Sequence, residues 1–169
     1  NTSAAVKAVT DVVVTSTNAK QIVESFAKEQ KIIFGPDKNL GNYINSITNR
    51  NMLLWDGACH VHEKFSVEKI IELKKQYPDA DVLVHPACKG AVAKLADKVG
   101  STAGLLKHAI ASDKKNFIVA TESGILYEMR KKCPEKNFIP APPEDSTCAC
   151  NECNFMRLNT MEKLYNTLK

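Results

Sequence analysis

Short apolar runs that alternate with helical segments constrain the fold of this chain more than any other feature of its sequence. The runs are four or five residues long and rich in β-branched side chains, and the segments between them carry apolar residues at helical spacing. Such an alternation predicts βαβ units with a parallel sheet. Because the runs are continuously apolar, we expect helices to cover both faces of each sheet. The sequence therefore predicts an α/β fold of three-layer αβα units with short parallel sheets.

The predicted strands form two groups, which indicate two similar units. The first group covers residues 12–14, 31–34 and 52–55, and the second covers residues 81–84, 117–120 and 137–140. Helices are predicted over residues 3–10, 19–29, 39–47, 67–77, 91–99, 103–111, 125–132 and 160–168. We expect one α/β unit over residues 1–58, a second over residues 59–144, and a cysteine-bearing segment with a helix over residues 145–169.

The charge and composition argue against two classes of partner. The net charge is only +4 and the lysines are scattered along predicted helices, which is typical of a solvated surface and not of a nucleic-acid interface. No apolar run approaches the length of a membrane span. The sequence shows no secretion signal and holds six cysteines. We therefore expect a cytoplasmic protein that binds neither nucleic acid nor membrane, with its cysteines as free thiols or metal ligands.

Cysteines and histidines mark two places where a metal could bind. Three cysteines lie within six positions after a proline-rich run, namely Cys148, Cys150 and Cys153. Cys59 is followed closely by two histidines, His60 and His62. A metal, an iron–sulfur cluster or disulfides all fit such crowding, although a zinc module built from these four cysteines lacks two clean Cys-x-x-Cys pairs. The other two cysteines, Cys88 and Cys133, are predicted to be a buried thiol and a helix-end residue.

Small, polar or metal-binding residues follow most of the predicted strands. These strand ends cover residues 15–18, 35–37, 56–62, 85–88 and 121–124. Because ligands of open parallel sheets bind at the carboxyl ends of strands, the pattern predicts a ligand site there. Local sequence favours helix caps for Ser16, Ser101 and Thr102, but exposed N–H groups at a helix start also bind anions. Several such starts in one cleft would suit an acidic small molecule.

Six motifs, in this order along the chain, resemble those of quinolinate synthase. They are Phe34-Gly-Pro-Asp-Lys-Asn-Leu-Gly-Asn-Tyr43, Trp55-Asp-Gly-Ala-Cys-His-Val-His-Glu63, Val84-His-Pro-x-Cys88, Gly100-Ser-Thr102, Ala120-Thr-Glu-Ser-Gly124 and Cys153-x-x-Met-x-x-Asn-Thr160. The resemblance implies an enzyme that condenses iminoaspartate with dihydroxyacetone phosphate to give quinolinate, the precursor of NAD. It also implies three similar α/β domains in a pseudo-threefold arrangement around a [4Fe–4S] cluster. Each domain would supply one cluster cysteine, and the fourth iron would bind substrate.

The resemblance also implies roles for individual residues. Two cysteines would bind the cluster, Cys59 and Cys153, with Cys148 and Cys150 as neighbours of the site. Two histidines would act in catalysis, His62 and His85. The carboxylates of the substrate and of later intermediates would be held by Asn1, Ser16, His85 and Thr102, with a backbone contribution from Ser101. Such an enzyme also implies a protein partner, the L-aspartate oxidase that supplies iminoaspartate.

Two departures from the family pattern bear on activity. The family has an N-terminal domain before the position of Asn1, with the first cluster cysteine and much of the phosphate site. The family motif His-Pro-Glu-Cys reads His85-Pro-Ala-Cys88 here, and Ala87 cannot transfer a proton. We therefore expect these 169 residues by themselves to be inactive. The alternative is a non-catalytic fragment or degenerate homologue that acts as a binding or scaffold module.

Overall fold

Two parallel sheets organise the chain. The computed structural model describes residues 2–145 and 151–169. The strands are β1 Ile33–Phe34, β2 Leu53–Leu54, β3 Asp81–Val84, β4 Lys98–Val99, β5 Asn116–Ala120 and β6 Asn137–Pro140. The α-helices are α1 Ala4–Ala8, α2 Ala19–Ser25, α3 Lys38–Thr48, α4 Val67–Gln76, α5 Gly90–Ala93, α6 Thr102–Ala111, α7 Ile125–Lys132 and α8 Met161–Leu168. Short 3₁₀ helices cover His62–Lys64 and Met156–Leu158.

The larger sheet has the strand order β4-β3-β5-β6, and all of its strands are parallel. Its side chains alternate between two apolar clusters, one on each face. Val82 and its neighbour Ile118 pack into the first cluster, whereas Leu83 and its neighbour Val119 pack into the second. Because both faces are covered, these strands are continuously apolar in sequence. The prediction of an α/β fold with short parallel sheets is confirmed.

Within the part of the chain that the structure describes, the smaller sheet, formed by β1 and β2, is covered on one face only. Phe34 packs into a third apolar cluster with residues of α2 and α3. On the opposite face Ile33, Leu53 and Trp55 are 75%, 68% and 67% exposed, and we call these three residues the open face. Gly35 lies against it, and a Cβ atom there would come within 2.4 Å of the Trp55 Cβ. Only glycine therefore lets the two backbones approach this closely.

Two predicted elements are wrong. Residues 12–14 were predicted as a strand, but they have no regular structure because none of the described strands pairs with them. The helix predicted over residues 91–99 ends at Ala93, and Lys98–Val99 forms β4. Pairing with the edge of β3 overrides the helical spacing of that segment. The boundaries of the two predicted units, at residues 58 and 144, stay predictions.

Helix α8 exposes its apolar side. Thr160 caps its N-terminus by accepting a hydrogen bond from the Lys163 N–H at 3.2 Å. The apolar residues recur at helical spacing, and each is more than half exposed: Met161, Leu164, Tyr165 and Leu168.

Among the residues that the structure describes, no helix is long and apolar enough to cross a membrane.

Candidate functional site

Two histidines meet at the carboxyl ends of the strands. His85 directly follows β3, Thr121 directly follows β5, and His62 begins the 3₁₀ helix that comes after β2. The rings of His62 and His85 stack, with their centroids 4.4 Å apart and an angle of 21° between their planes. The two residues are only 7% and 9% exposed. They form a buried imidazole pair where the sequence predicted a ligand site.

Each imidazole has a hydroxyl partner. His62 Nε2 lies 3.1 Å from Thr121 Oγ1, and His85 Nε2 lies 3.1 Å from Ser16 Oγ. The Ala87 N–H donates to His85 Nδ1 at 3.2 Å, so a neutral His85 carries its proton on Nε2 and donates to Ser16. His62 Nδ1 is buried and has no hydrogen-bond partner among the described residues. A bound molecule could exchange a proton or a hydrogen bond with this nitrogen.

Burial keeps both imidazoles uncharged near neutral pH. It lowers the pKa of His62 to about 3, with smaller contributions from His85 and His60. It lowers the pKa of His85 to about 4. The pair therefore offers one N–H donor, at His85 Nε2, and one free ring nitrogen, at His62 Nδ1.

The three hydroxyl residues predicted as caps or ligand contacts have different surroundings. Ser101 is the N-cap of α6 and accepts a backbone N–H of the first turn at 3.2 Å, so the cap prediction is confirmed for it. Thr102 is the first residue of α6 and is exposed. Ser16 precedes α2, whose N-cap is Asn18, and its hydroxyl bonds to His85 instead. The cap prediction is therefore wrong for Ser16 and Thr102.

Three cysteines meet in one core cluster beside the sheet. Cys59, Cys88 and Cys153 are free thiols, and none is more than 4% exposed. Cys133 ends α7 and is buried in the cluster on the other face of the sheet. The predictions of a buried thiol at position 88 and a helix-end residue at position 133 are thus confirmed. Cys59 and Cys153, which are far apart in sequence, share one buried region.

Cys59 and Cys153 fit an iron–sulfur cluster as part of its ligand set. Such clusters are held by cysteine thiolates. Burial raises the pKa of Cys59, so its thiolate needs a positive partner such as iron. Within residues 2–145 and 151–169, no three His, Cys, Asp or Glu side chains are grouped as a metal site. Three other residues named in the sequence analysis lie outside the described residues, namely Asn1, Cys148 and Cys150.

The C-terminal segment reaches the site through a few specific contacts. The Ser123 N–H donates to the Asn151 carbonyl at 2.9 Å, and the Asn151 side chain donates to the Ala141 carbonyl. The ring of His60 meets the edge of the Phe155 ring, with their centroids 5.5 Å apart. These contacts flank Cys153 and hold it next to the end of β5.

Two carboxylates from the predicted strand ends bond to the backbones of the cysteines, a role that the sequence did not predict for them. Asp37 accepts the Cys59 N–H at 2.6 Å, and Glu122 accepts the Cys153 N–H at 3.3 Å. Each acid follows a strand by no more than three residues, Asp37 after β1 and Glu122 after β5. That position places both acids at the predicted ligand site, but it gives no indication of which cysteine each one binds.

Ala87 takes part in the site through its backbone. Its N–H orients His85, and its carbonyl accepts a hydrogen bond from Asn39 Nδ2 at 3.2 Å. Asn39 Nδ2 also donates to Glu63 Oε1 at 2.5 Å. The Ala87 side chain is 4% exposed and packs with the apolar cluster of α2 and α3. Position 87 therefore orients an imidazole without supplying a titratable group.

Comparisons with known proteins match the whole chain to a single family. Residues 1–169 match the family described as quinolinate synthetase A protein. The chain is 56% identical over 169 residues to the quinolinate synthase of Chloroherpeton thalassium and 53% identical over 169 residues to that of Nostoc punctiforme. It is 51% identical over 165 residues to that of a Synechococcus strain. These alignments cover 98–100% of the chain but 52% of each relative, so the chain spans about half the length of the curated relatives it matches.

Proposed function

The chain belongs to the quinolinate synthetase A family, and from that membership we propose that it contributes to the synthesis of quinolinate from iminoaspartate and dihydroxyacetone phosphate. The reaction would serve de novo NAD biosynthesis. The observation that carries this proposal is the buried pair His62–His85, next to the strand ends that also bring in the thiols of Cys59 and Cys153. Proton-transfer groups and soft metal ligands are what such a condensation requires.

In this proposal the two imidazoles serve proton transfer during dehydration and ring closure. His62 would accept a proton at Nδ1, and His85 would donate a hydrogen bond from Nε2, where Ser16 now accepts, to an oxygen or nitrogen of the substrate. Both rings are neutral near pH 7, so Nδ1 of His62 is available as a base without first losing a proton to solvent. Thr121 keeps the ring of His62 in place through its hydroxyl.

The carboxylates of iminoaspartate would be bound by side chains and helix N–H groups at the same edge. Ser16 and His85 form one part of this binding site. The N-terminus of α6 forms another, because Ser101 and Thr102 stand where the unpaired N–H groups of a helix attract anions. Asn1 completes the proposed set.

Cys59 and Cys153 would hold a [4Fe–4S] cluster. When bound, such a cluster supplies a Lewis-acid iron that polarises a substrate oxygen or nitrogen. Both thiols are buried in an apolar region, which keeps competing water away from their sulfur atoms. We further propose that the protein acts in the cytoplasm and receives iminoaspartate from L-aspartate oxidase.

Anaerobic reconstitution with iron and sulfide tests the metal part of the proposal. Because these 169 residues hold only two of the proposed cluster cysteines, the reaction includes dithiothreitol as a source of a third thiolate. We then expect iron and sulfide to bind together, and the Cys59→Ala and Cys153→Ala variants to lose them. Cys133→Ala is the matched control, because that thiol is equally buried but lies on the other face of the sheet. Zinc without sulfide would support a zinc module instead, and binding that is unchanged in both cysteine variants would contradict the ligand assignment.

Ala87 favours a second candidate function, a binding module without turnover. The family has a carboxylate at this position, and here the buried methyl group cannot transfer a proton. Calorimetry with quinolinate and an assay for quinolinate formation test the two functions. Turnover that is lost in His85→Asn would support the synthase and exclude a module without turnover. No binding of quinolinate, or binding that is unchanged in Ser16→Ala, would contradict the module, whereas absence of turnover is expected of these 169 residues in both cases.

A further inference from the structure

We propose that Asp37 and Glu122 are matched positioning residues, each of which fixes the backbone of one thiol-bearing cysteine from the end of a neighbouring strand. Asp37 acts on Cys59 and Glu122 acts on Cys153. The assignment of the two thiols to a cluster rests on the proposed function, but the positioning itself rests only on the contacts described below.

Asp37 joins the end of β1 to the loop that carries Cys59. It is 7% exposed, so the free energy of its hydrogen bonds is little weakened by water. Its Oδ1 accepts the N–H groups of Asn39 and Leu40, at 2.7 and 2.9 Å, and so caps α3. Its Oδ2 accepts the Cys59 N–H at 2.6 Å. One carboxylate oxygen of Asp37 thus caps α3, and the other binds the backbone of Cys59.

Glu122 makes the corresponding connection from the end of β5. Its Oε2 accepts the Gly124 N–H at 2.8 Å, and its Oε1 accepts the Cys153 N–H at 3.3 Å. The next residue, Ser123, bonds to Asn151 and so ties the same strand end to the segment before Cys153. As with Asp37, one carboxylate oxygen binds a backbone N–H close to the acid in sequence, and the other binds the backbone N–H of a cysteine.

A carboxylate suits this double role better than an amide does. An ionised carboxylate has two acceptor oxygens, whereas Asn and Gln have one oxygen and one NH₂ group that only donates. In Asp37→Asn the oxygen would stay with the two N–H groups of α3, since Asn is a favoured N-cap. The NH₂ group would then face the Cys59 N–H, and the cysteine would lose its partner. In Glu122→Gln the oxygen would stay with the Gly124 N–H, because that hydrogen bond is the shorter of the two.

The experiment measures how fast each thiol of the cluster-free chain reacts with iodoacetamide, read by mass spectrometry of the separate cysteine peptides. We expect Asp37→Asn to raise the alkylation rate of Cys59, and Glu122→Gln that of Cys153, by about tenfold, the factor expected from losing one hydrogen bond to a charged group. Cys133 should keep its rate in both variants, because it lies in the apolar cluster on the other face of the sheet.

Asp97→Asn is the matched control. Asp97 Oδ2 also accepts a backbone N–H, from Val82 at 2.8 Å, but the bonded residue is not a cysteine. This variant should leave the rates of Cys59 and Cys153 unchanged. Urea unfolding of each variant checks that the chain is folded. If Asp37→Asn does not fold, Asp37→Ser replaces it, because Ser caps the helix with a single oxygen.

Three results would overturn the proposal. One is an unchanged rate at Cys59 in the Asp37 variant or at Cys153 in the Glu122 variant. The second is a rise that is equal at all four buried cysteines, which would indicate general loosening. The third is the same selective rise in Asp97→Asn. A parallel reconstitution should show less bound iron in Asp37→Asn and Glu122→Gln than in Asp97→Asn. If the unmodified chain binds no iron, the proposed function fails, while the alkylation rates still decide the positioning.

Discussion

At the scale of single residues, the stacked rings of His62 and His85 make folding sensitive to acid. Burial holds their pKa values at about 3 and about 4 in the folded chain. In the unfolded chain both titrate near the ordinary value of about 6.5. Between these values the unfolded chain binds more protons, so the free energy of unfolding falls as the pH falls. The stabilisation is complete above pH ~6.5 and is lost progressively below it.

Urea unfolding at several pH values between 7 and 4 measures this effect. We expect the two histidines together to lower the free energy of unfolding by about 2 to 3 kcal/mol per pH unit between pH ~6 and ~4. His85→Asn should roughly halve that slope, because one of the two groups no longer titrates. A slope that is the same in His85→Asn and in the unmodified chain would contradict the assignment.

The residues of the site were predictable from motifs, but their contacts were not. The motifs named His62, His85, Cys59 and Cys153 because their order matched a family. The stacking of the rings at 4.4 Å depends on which strand ends lie side by side, and periodicity carries no such information. The role of Asp37 was hidden for the same reason, since its partner Cys59 follows a different strand.

At the scale of elements, one lysine completes the C-terminal end of α6. Lys136 Nζ donates to the carbonyls of Ala109 and Ser112, at 2.7 and 2.5 Å. It also lies 5.7 Å from the centre of the Phe117 ring. The last carbonyls of a helix have no partner within it, so a lysine from another segment satisfies groups that would otherwise need water.

We expect Lys136→Met to lower the free energy of unfolding by about 1 to 2 kcal/mol, because it removes both hydrogen bonds but keeps an unbranched apolar side chain. Lys107→Met is the matched control, since Lys107 lies exposed on α6 and its replacement removes the same charge. It should change stability by less than about 0.5 kcal/mol in the same urea titration. Equal losses in the two variants would mean that charge alone, and not the helix end, is responsible.

Elements with a regular apolar pattern and a clear boundary were predicted best. The strand at 81–84 and the helix at 125–132 have the bounds that their apolar patterns predicted. The two failures concern segments whose structure depends on a neighbour. Residues 12–14 have strand-like composition but no described partner strand, and Lys98–Val99 is a strand because β3 offers an edge to it. Local sequence alone does not indicate whether a neighbouring strand is available for pairing.

At the scale of the whole molecule, the open face is an apolar surface that none of the described elements covers. Ile33, Leu53 and Trp55 stand together on one side of β1 and β2, and parallel sheets are normally covered on both faces. Contiguous apolar patches of this kind mark interaction sites or promote association. The alternation of strands and helices predicted the α/β class, but it could not predict that one sheet face would be left open.

We expect Leu53→Lys to reduce the binding of a hydrophobic dye and to reduce association in concentration-dependent sedimentation. Its stability should change by less than about 0.5 kcal/mol, because Leu53 is already exposed. Val9→Lys is the control, since Val9 is 85% exposed but lies outside the open face. If both variants reduce dye binding equally, the added charge and not the open face would be the cause.

Trp55, on the open face, is the only tryptophan of the chain. Its indole lies over Gly57, close enough that a Cβ atom there would be 3.2 Å from Trp55 Cδ1. Gly57 begins the short loop that leads to Cys59. The tryptophan fluorescence of the protein therefore comes from one side chain, which lies between the open face and the proposed iron ligand. A shift of its emission to shorter wavelength would signal that the sheet has been covered, and quenching would signal an absorbing group at Cys59.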